Sequence, residues 1–510
     1  MQLSTQETQT PAGLAQGTAP SRPAPGGHFR ALGKNVLLKY ASESSRLFQL
    51  AFFVIVARRF GASDLGNLTF LLMAGSLVAL FVGDLGINTT AIARMNAHRG
   101  AKLESIASEA LFWKNAFSLA AIVLICGVLY ATGSSRSWLM IGAVAVISLG
   151  SIWLEFLCAL TNGVNRLEAE VWIRIAYRGA VYGGGALAAL FASLRSDLVF
   201  MAAAVIVTLA GAFQLLRRRM LPVKVIFRPQ KEVGLLKESL PVWVTQLAQL
   251  SYLRFDIVIL GLLHVTASEI GWYAAAWKIV DVLSGVPALL SAAALPLISG
   301  ATGGASVSVI APRYLKLMYV LPFLFALPLA IGADWVTRLL YGAGFAGTPR
   351  VLQILVWALV PVYAHTFLAI VAVATRRQAD AAKLATAASI LSVLAAVILV
   401  PKLGYEAMAA VSLAANALFA CAMVCKFRDA TESMQVGTGI KSLLSAAGTF
   451  WVCTYFLPDT HPVLLMAGGT AGYCAALVLL RVVNLRHLGR GWRFLASLVW
   501  GREVGGVSAA

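Results

Sequence analysis

Segments of about 20 or more mostly apolar residues recur from Val36 to Arg481, each long enough at 1.5 Å per residue to cross a hydrocarbon core of roughly 30 Å. That recurrence decides the solvent. With 59% hydrophobic and 12% charged residues, the chain carries more apolar surface than a water-soluble domain can cover. The runs are continuous, whereas an outer-membrane barrel would alternate lipid-facing and lumen-facing residues. The expected fold class is therefore an all-α polytopic membrane protein.

Hydropathy places spans near 36–59, 66–90, 107–131, 137–160, 170–192, 197–216, 240–263, 270–299, 312–336, 350–375, 379–400, 404–425, 440–457 and 463–481, about fourteen transmembrane helices in all. No loop exceeds about 25 residues, which leaves no extramembrane domain for separate chemistry. The formal net charge of +19 would suggest nucleic acid as a partner of a soluble protein. Here the position of the charge argues otherwise. With the amino terminus inside, about 28 Lys and Arg fall on the inner side and about 7 on the outer, a positive-inside asymmetry that sets both termini in the cytoplasm. The basic run from Arg217 to Lys237 then reads as a linker at an anionic lipid surface, and no nucleic-acid partner is expected.

Ala62-Ser63-Asp64-Leu65-Gly66 returns as Ala267-Ser268-Glu269-Ile270-Gly271, and a shift of about 205 residues lays the first six spans over spans seven to twelve. Six spans per copy keep both copies in the same orientation, so the repeat is parallel, with its pseudo-two-fold along the membrane normal. The expected organisation is a disordered cytoplasmic tail at 1–28, a six-helix lobe at 29–216, the basic linker at 217–237, a second six-helix lobe at 238–426, two additional helices at 438–481 and a basic tail at 482–510.

Charged side chains inside a span cost a few kcal/mol, so they face a cavity, a partner or the membrane surface. Span one carries Ser42, Arg46 and Gln49 on one face, with Glu43 beside Arg46; span seven carries Gln249, Ser251, Arg254 and Asp256. The shift pairs Gln49 with Arg254, so both leading helices hold a polar, cationic stretch near mid-membrane. Arg46, Gln49, Arg254, Arg178 and Lys278 are the candidate substrate-binding residues. Glu43 with Arg46, and Asp281 with Lys278, have the i, i+3 spacing of structural ion pairs as well. Asp84, Glu43, Asp281 and Asp256 are the carboxylates that could couple transport to an ion or serve structure. Asp84 could pair with Arg94 or satisfy backbone groups near Gly83 and Gly86. Arg174 reads as snorkelling to headgroups, Lys114 as undecided, and Glu155, Asp334 and His365 as weaker candidates. Arg58, Arg59, Asp64 and Arg94 read as peripheral.

The six cysteines all fall in spans without metal-ligand spacing, and neither a metal nor a cofactor is expected. There is no phosphate-binding GxxxxGK[ST] loop, no HExxH and no nucleophile elbow.

The stretch VARRFGASDLGNLTFLLMAGSLVALFVGDLGINTTAIAR, ending span one and forming span two, resembles the amino-terminal signature of the polysaccharide transporter family, the Wzx-type oligosaccharide flippases. That family shares a superfamily with lipid II flippases and multidrug and toxic-compound extruders. The resemblance implies two six-helix lobes around a central cavity, two added helices and alternating access. It also implies a substrate, an undecaprenyl pyrophosphate-linked oligosaccharide turned to the outer leaflet of a bacterial inner membrane. The lipid bilayer is an implied partner, and polysaccharide polymerase and export proteins are candidate partners. Two alternatives stand beside it: a cation-coupled multidrug extruder, which favours carboxylates over arginines in its cavity, and a membrane glycosyltransferase or polymerase, which the short outer loops disfavour.

Overall fold

The computed structural model describes residues 41–97, 101–131, 137–164, 166–191, 193–220, 234–240, 242–243, 255–299, 305–428, 435–456 and 460–482. The amino-terminal tail, most of the basic linker, Arg254 and nearly all of the carboxyl tail lie outside the described residues. The described chain is helical throughout. In order it forms α1 (Arg46–Gly83), α2 (Ile87–Ala97), α3 (Ala101–Ala131), α4 (Trp138–Gly163), α5 (Leu167–Arg178), a π-helical turn (Gly179–Gly183), α6 (Gly184–Ala188) and α7 (Leu194–Arg219). The second half continues with α8 (Asp256–Leu262), α9 (Ala267–Ser299), α10 (Ala305–Ile331), α11 (Ala333–Tyr341), α12 (Thr348–Leu355), α13 (Leu359–Ala374), α14 (Gln378–Leu403) and α15 (Glu406–Lys426). Two final helices follow, α16 (Val436–Phe456) and α17 (Pro462–Leu479).

Among the described residues, nine helices are long and apolar enough to cross a membrane, against about fourteen expected spans. Part of the difference lies in α1. It runs through both of the first two expected spans, and 38 residues of unbroken helix would measure about 57 Å, far beyond a bilayer core. The break is Gly61, whose φ of 86° and ψ of −177° are not helical; only glycine takes that φ without strain. Span nine is likewise divided, α10 ending before Gly332 and α11 beginning after it.

The two halves pack on each other through the repeated elements. The first part of α1 lies antiparallel along α9: Arg46 is 3.5 Å from where a Cβ of Gly285 would stand, and Lys278 Nζ is 4.0 Å from the Phe53 ring centroid. The second part of α1 meets α8 in the equivalent way, with Phe70 against Gly261 and the Phe81 and Phe255 rings 6.3 Å apart. The two copies of the repeated pentapeptide cross where these pairs meet, Gly66 against Ala267 and Gly271 against Ala62. Glycine at both crossings lets backbone approach backbone, the usual device for close helix contact in lipid. One buried apolar cluster runs through both halves, from Phe52 and Leu68 to Tyr273 and Phe367.

Among the described residues the added helices pack chiefly on α10, with Phe450 of α16 also reaching Trp357, 6.0 Å between ring centroids. Tyr473 donates to Val320 O at 3.1 Å and its ring lies 5.8 Å from Phe323.

Candidate substrate site between the lobes

Two irregularities face each other near the start of α1. The helix described from Ala41 onward is interrupted at Ser45, whose hydroxyl donates to Ser42 O at 2.5 Å. Opposite it, α5 passes directly into the π-helical turn at Gly179, and a Cβ on Gly183 would stand 3.3 Å from the Phe48 ring. A π turn rotates the residues before it relative to those after it, and such turns recur at functional sites. Here the residue so placed is Arg178. Its Nη1 donates to Ser42 O at 3.1 Å and Ser45 Oγ at 3.0 Å, both neutral acceptors. No carboxylate bridges Arg178 among the described residues, so its charge is held but not cancelled.

At the first residue of α1, Arg46 Nε lies 2.6 Å from Glu43 Oε2, with the side chain 30% exposed and directed at Gly285 of α9. The i, i+3 pair read from the sequence is therefore formed, and it sits where the halves meet. Gln49 follows on the same helix, half-buried. On α9, Lys278 is buried between Phe53 and Trp277, its ammonium over both rings. Asp281 is half-buried one turn further on, with Ser284 Oγ donating to its main-chain carbonyl at 2.7 Å. Arg46 and Lys278 thus lie where the two halves meet, Arg178 binds the start of the same helix from within the first half, Gln49 is half-buried on that helix, and Arg254 lies outside the described residues.

Other intramembrane charges are organised within one half. Arg174 does not snorkel to headgroups: it binds Glu155 through both terminal nitrogens, at 2.5 and 2.8 Å, and Glu170 through Nε at 2.9 Å. Asp84 pairs with Lys114 at 3.0 Å and not with Arg94; Lys114 is fully buried, with its ammonium 5.7 Å from the Phe156 ring. Arg94 instead forks onto Glu238. Neither Arg58 nor Arg94 is peripheral, because each reaches residues of the second half.

Asp256, at the start of α8, accepts from Tyr273 at 2.6 Å in a buried setting, with Ser412 beside it. Asn416, one turn from Ser412, donates to Ser412 O at 2.8 Å and meets His365 at 3.3 Å. This polar thread inside the second half joins two residues singled out from the sequence, Asp256 and His365, through three that were not. Tyr273, Ser412 and Asn416 are common residues in apolar helices, and no spacing marks them. Among the described residues no group of three or more His, Cys, Asp or Glu is placed to hold a metal.

Guanidinium and ammonium groups so placed can form charge-assisted hydrogen bonds with an anion, and the Asp256 thread adds a buried ionisable carboxyl in the second half. The architecture is that of known transporters. It is similar to the lipid II flippase MurJ in an inward closed conformation, with a TM-score of 0.72 and 15% identity over 88% of this chain and 99% of that one. It is also similar to an inward-facing multidrug resistance MATE transporter of the MOP superfamily, with a TM-score of 0.59, 17% identity and coverage of 77% and 97%. A MOP superfamily transporter from Pyrococcus furiosus matches at a TM-score of 0.55 and 13% identity over 80% and 98% of the two chains. At these identities the likeness concerns the fold. No curated protein matches the sequence significantly. A model of the family described as polysaccharide biosynthesis protein matches residues 32–301, more than half of the 510 residues. The chain is a multi-span membrane protein with a flippase-type fold, and it belongs to the family of polysaccharide biosynthesis proteins.

Proposed function

We propose that the protein turns an undecaprenyl pyrophosphate-linked oligosaccharide from the inner to the outer leaflet of a bacterial inner membrane by alternating access, with both termini cytoplasmic and no catalytic step. The observation that carries this reading is Arg178 held by Ser42 and Ser45 beside Arg46 at the seam. A guanidinium bound only to neutral oxygens retains its attraction for a diphosphate, and its planar fork suits two phosphate oxygens. The lipid tail stays in the bilayer while the headgroup passes between the lobes. Family membership supports the glycan, and the likeness to a lipid II flippase supports a polyprenyl carrier.

A second reading is supported by the acid thread around Asp256 and the likeness to a MATE transporter: a cation-coupled extruder of the same superfamily. Purified protein in liposomes, loaded with a fluorescent lipid-linked oligosaccharide and probed with a membrane-impermeant quencher, separates the two. Transfer of the lipid-linked glycan, abolished by Arg178→Ala, is expected. Gradient-driven movement of cationic drugs with no glycan transfer would establish the second reading instead.

A further inference from the structure

The ties between the halves differ chemically at the two ends of the seam. At the Gly61 end, Arg58 donates from Nε to Leu340 O at 2.8 Å and from Nη2 to Leu339 O. It thereby caps the carboxyl end of α11 in the other half, where carbonyls lack helical donors and the helix dipole favours a cation. The glycine crossing of Gly66 and Gly271 also ties the halves together at this end.

At the opposite end, residues 234–240 and 242–243 lie across the ends of α1, α2 and α3. Leu235 is fully buried and its N–H donates to Glu109 Oε1 at 3.2 Å. A Cβ on Gly86 would stand 2.5 Å from Ser239 O, and Trp243 Nε1 donates to Phe81 O at 3.1 Å. Glu238 accepts the fork of Arg94, with Nε to Oε2 at 2.8 Å. The side chains of Arg94 and Glu238 are 22% and 56% exposed, so salt screens this pair; Arg58 is exposed as well, but its carbonyl partners carry no formal charge for salt to screen.

We propose that Arg94–Glu238 and Arg58–Leu339/Leu340 are opposed latches, each holding one end of the seam shut, and that transport releases them one at a time. Resting on the two-lobe reading above, the inference assigns the inner latch to the ion pair and the outer to the backbone cap. Both are engaged in this structure, so the seam is closed at both ends and Arg178 is reached only after one gives way. Removing a latch shifts the population toward opening at its own end by the free energy that the latch contributed.

The test uses the full chain in membranes, with its six cysteines replaced by Ala and Gly285→Cys as reporter. A Cβ there meets only the flexible end of Arg46, at ordinary contact distance. A membrane-impermeant maleimide is applied to spheroplasts and to inside-out vesicles. Arg94→Gln and Glu238→Gln are expected to raise labelling about two- to fivefold from the cytoplasmic face alone, and Arg58→Gln from the outer face alone. Arg94→Glu combined with Glu238→Arg returns labelling to the parental rate, which misfolding would not do. Unchanged labelling in every variant, a rise from the same face for both latches, or a charge swap that labels like the single variants overturns the proposal. The assay reads cysteine labelling and not glycan transfer, so its failure leaves the transfer experiment standing, and the reverse holds as well.

Discussion

A Cβ on Gly66 would stand 1.8 Å from Ala267 O, and a Cβ on Gly271 would stand 1.9 Å from Ala62 O. Each copy of the repeated pentapeptide therefore presents its closing glycine to the opening alanine of the other. This reciprocity is what a pseudo-two-fold axis through the crossing requires, and it converts a repeat in sequence into a contact in space.

Neither glycine tolerates a methyl group at these distances, because the obstruction is backbone and not the end of a side chain. Gly66→Ala and Gly271→Ala are each expected to cost about 1–3 kcal/mol by overpacking. Since both act at one crossing, the double variant should cost less than the two together. Thermal unfolding in detergent, read by tryptophan fluorescence, measures both. Full additivity would mean that the two glycines sit at independent contacts.

Lys114 and Asp84 form the most secluded ion pair described, with side chains 0% and 13% exposed. Breaking such a pair strands a charge in low dielectric, so Lys114→Met alone is expected to cost about 3–5 kcal/mol. Lys114→Met with Asp84→Leu should recover most of that loss, because a matched apolar pair replaces it without desolvation. Yield and melting temperature of the purified variants report the outcome. A double variant as unstable as the single would point to a role for Asp84 beyond neutralising Lys114.

Much of the architecture was legible in the chain. The apolar runs identify a polytopic bundle, and the 205-residue offset makes Ala62 equivalent to Ala267 and Gly66 to Gly271; that these equivalent residues touch one another is decided by packing and is not legible in the offset. Glu43–Arg46 was legible because i, i+3 neighbours on a helix must meet. Long-range partners were not. Arg58 binds carbonyls some 280 positions away, and any residue can supply a carbonyl, so nothing in the sequence marks Leu339 or Leu340. Arg174 reads from the sequence as a snorkelling residue because Glu155 lies in a different helix, and which helix faces which is decided by packing. The π turn that aims Arg178 hides behind glycines that equally suit close packing.

The seam arginines are expected to respond unequally. Arg178 donates its hydrogen bonds to neutral oxygens, with the Glu43 carboxylate near but not bridged to it, so binding an anionic headgroup breaks no ion pair of Arg178. Losing one such charged bond costs about 1.5–3 kcal/mol, or roughly ten- to hundredfold in apparent affinity or rate. Arg178→Ala should show that loss in the transfer assay, Arg178→Lys a smaller one. Arg46 is shared with Glu43, so Glu43→Gln, which frees it, should tighten headgroup binding. Weaker binding in Glu43→Gln would mean that the carboxylate positions Arg46 rather than competing for it.

Asp256 and Tyr273 offer the clearest separation of structure from coupling. The phenol donates to a buried carboxyl at 2.6 Å, and the carboxyl has no basic group in ion-pair contact among the described residues. Tyr273→Phe removes that donor and is expected to destabilise the fold by about 1.5–3 kcal/mol. Asp256→Asn keeps a polar group of the same shape while abolishing the ionisable site, so it should retain most of the stability. Initial transfer rates with and without an imposed ion gradient then distinguish the roles. A coupling carboxylate predicts that Asp256→Asn transfers at a rate indifferent to the gradient while Tyr273→Phe stays responsive. A purely structural carboxylate predicts the parental gradient response in both, scaled only by the amount of folded protein.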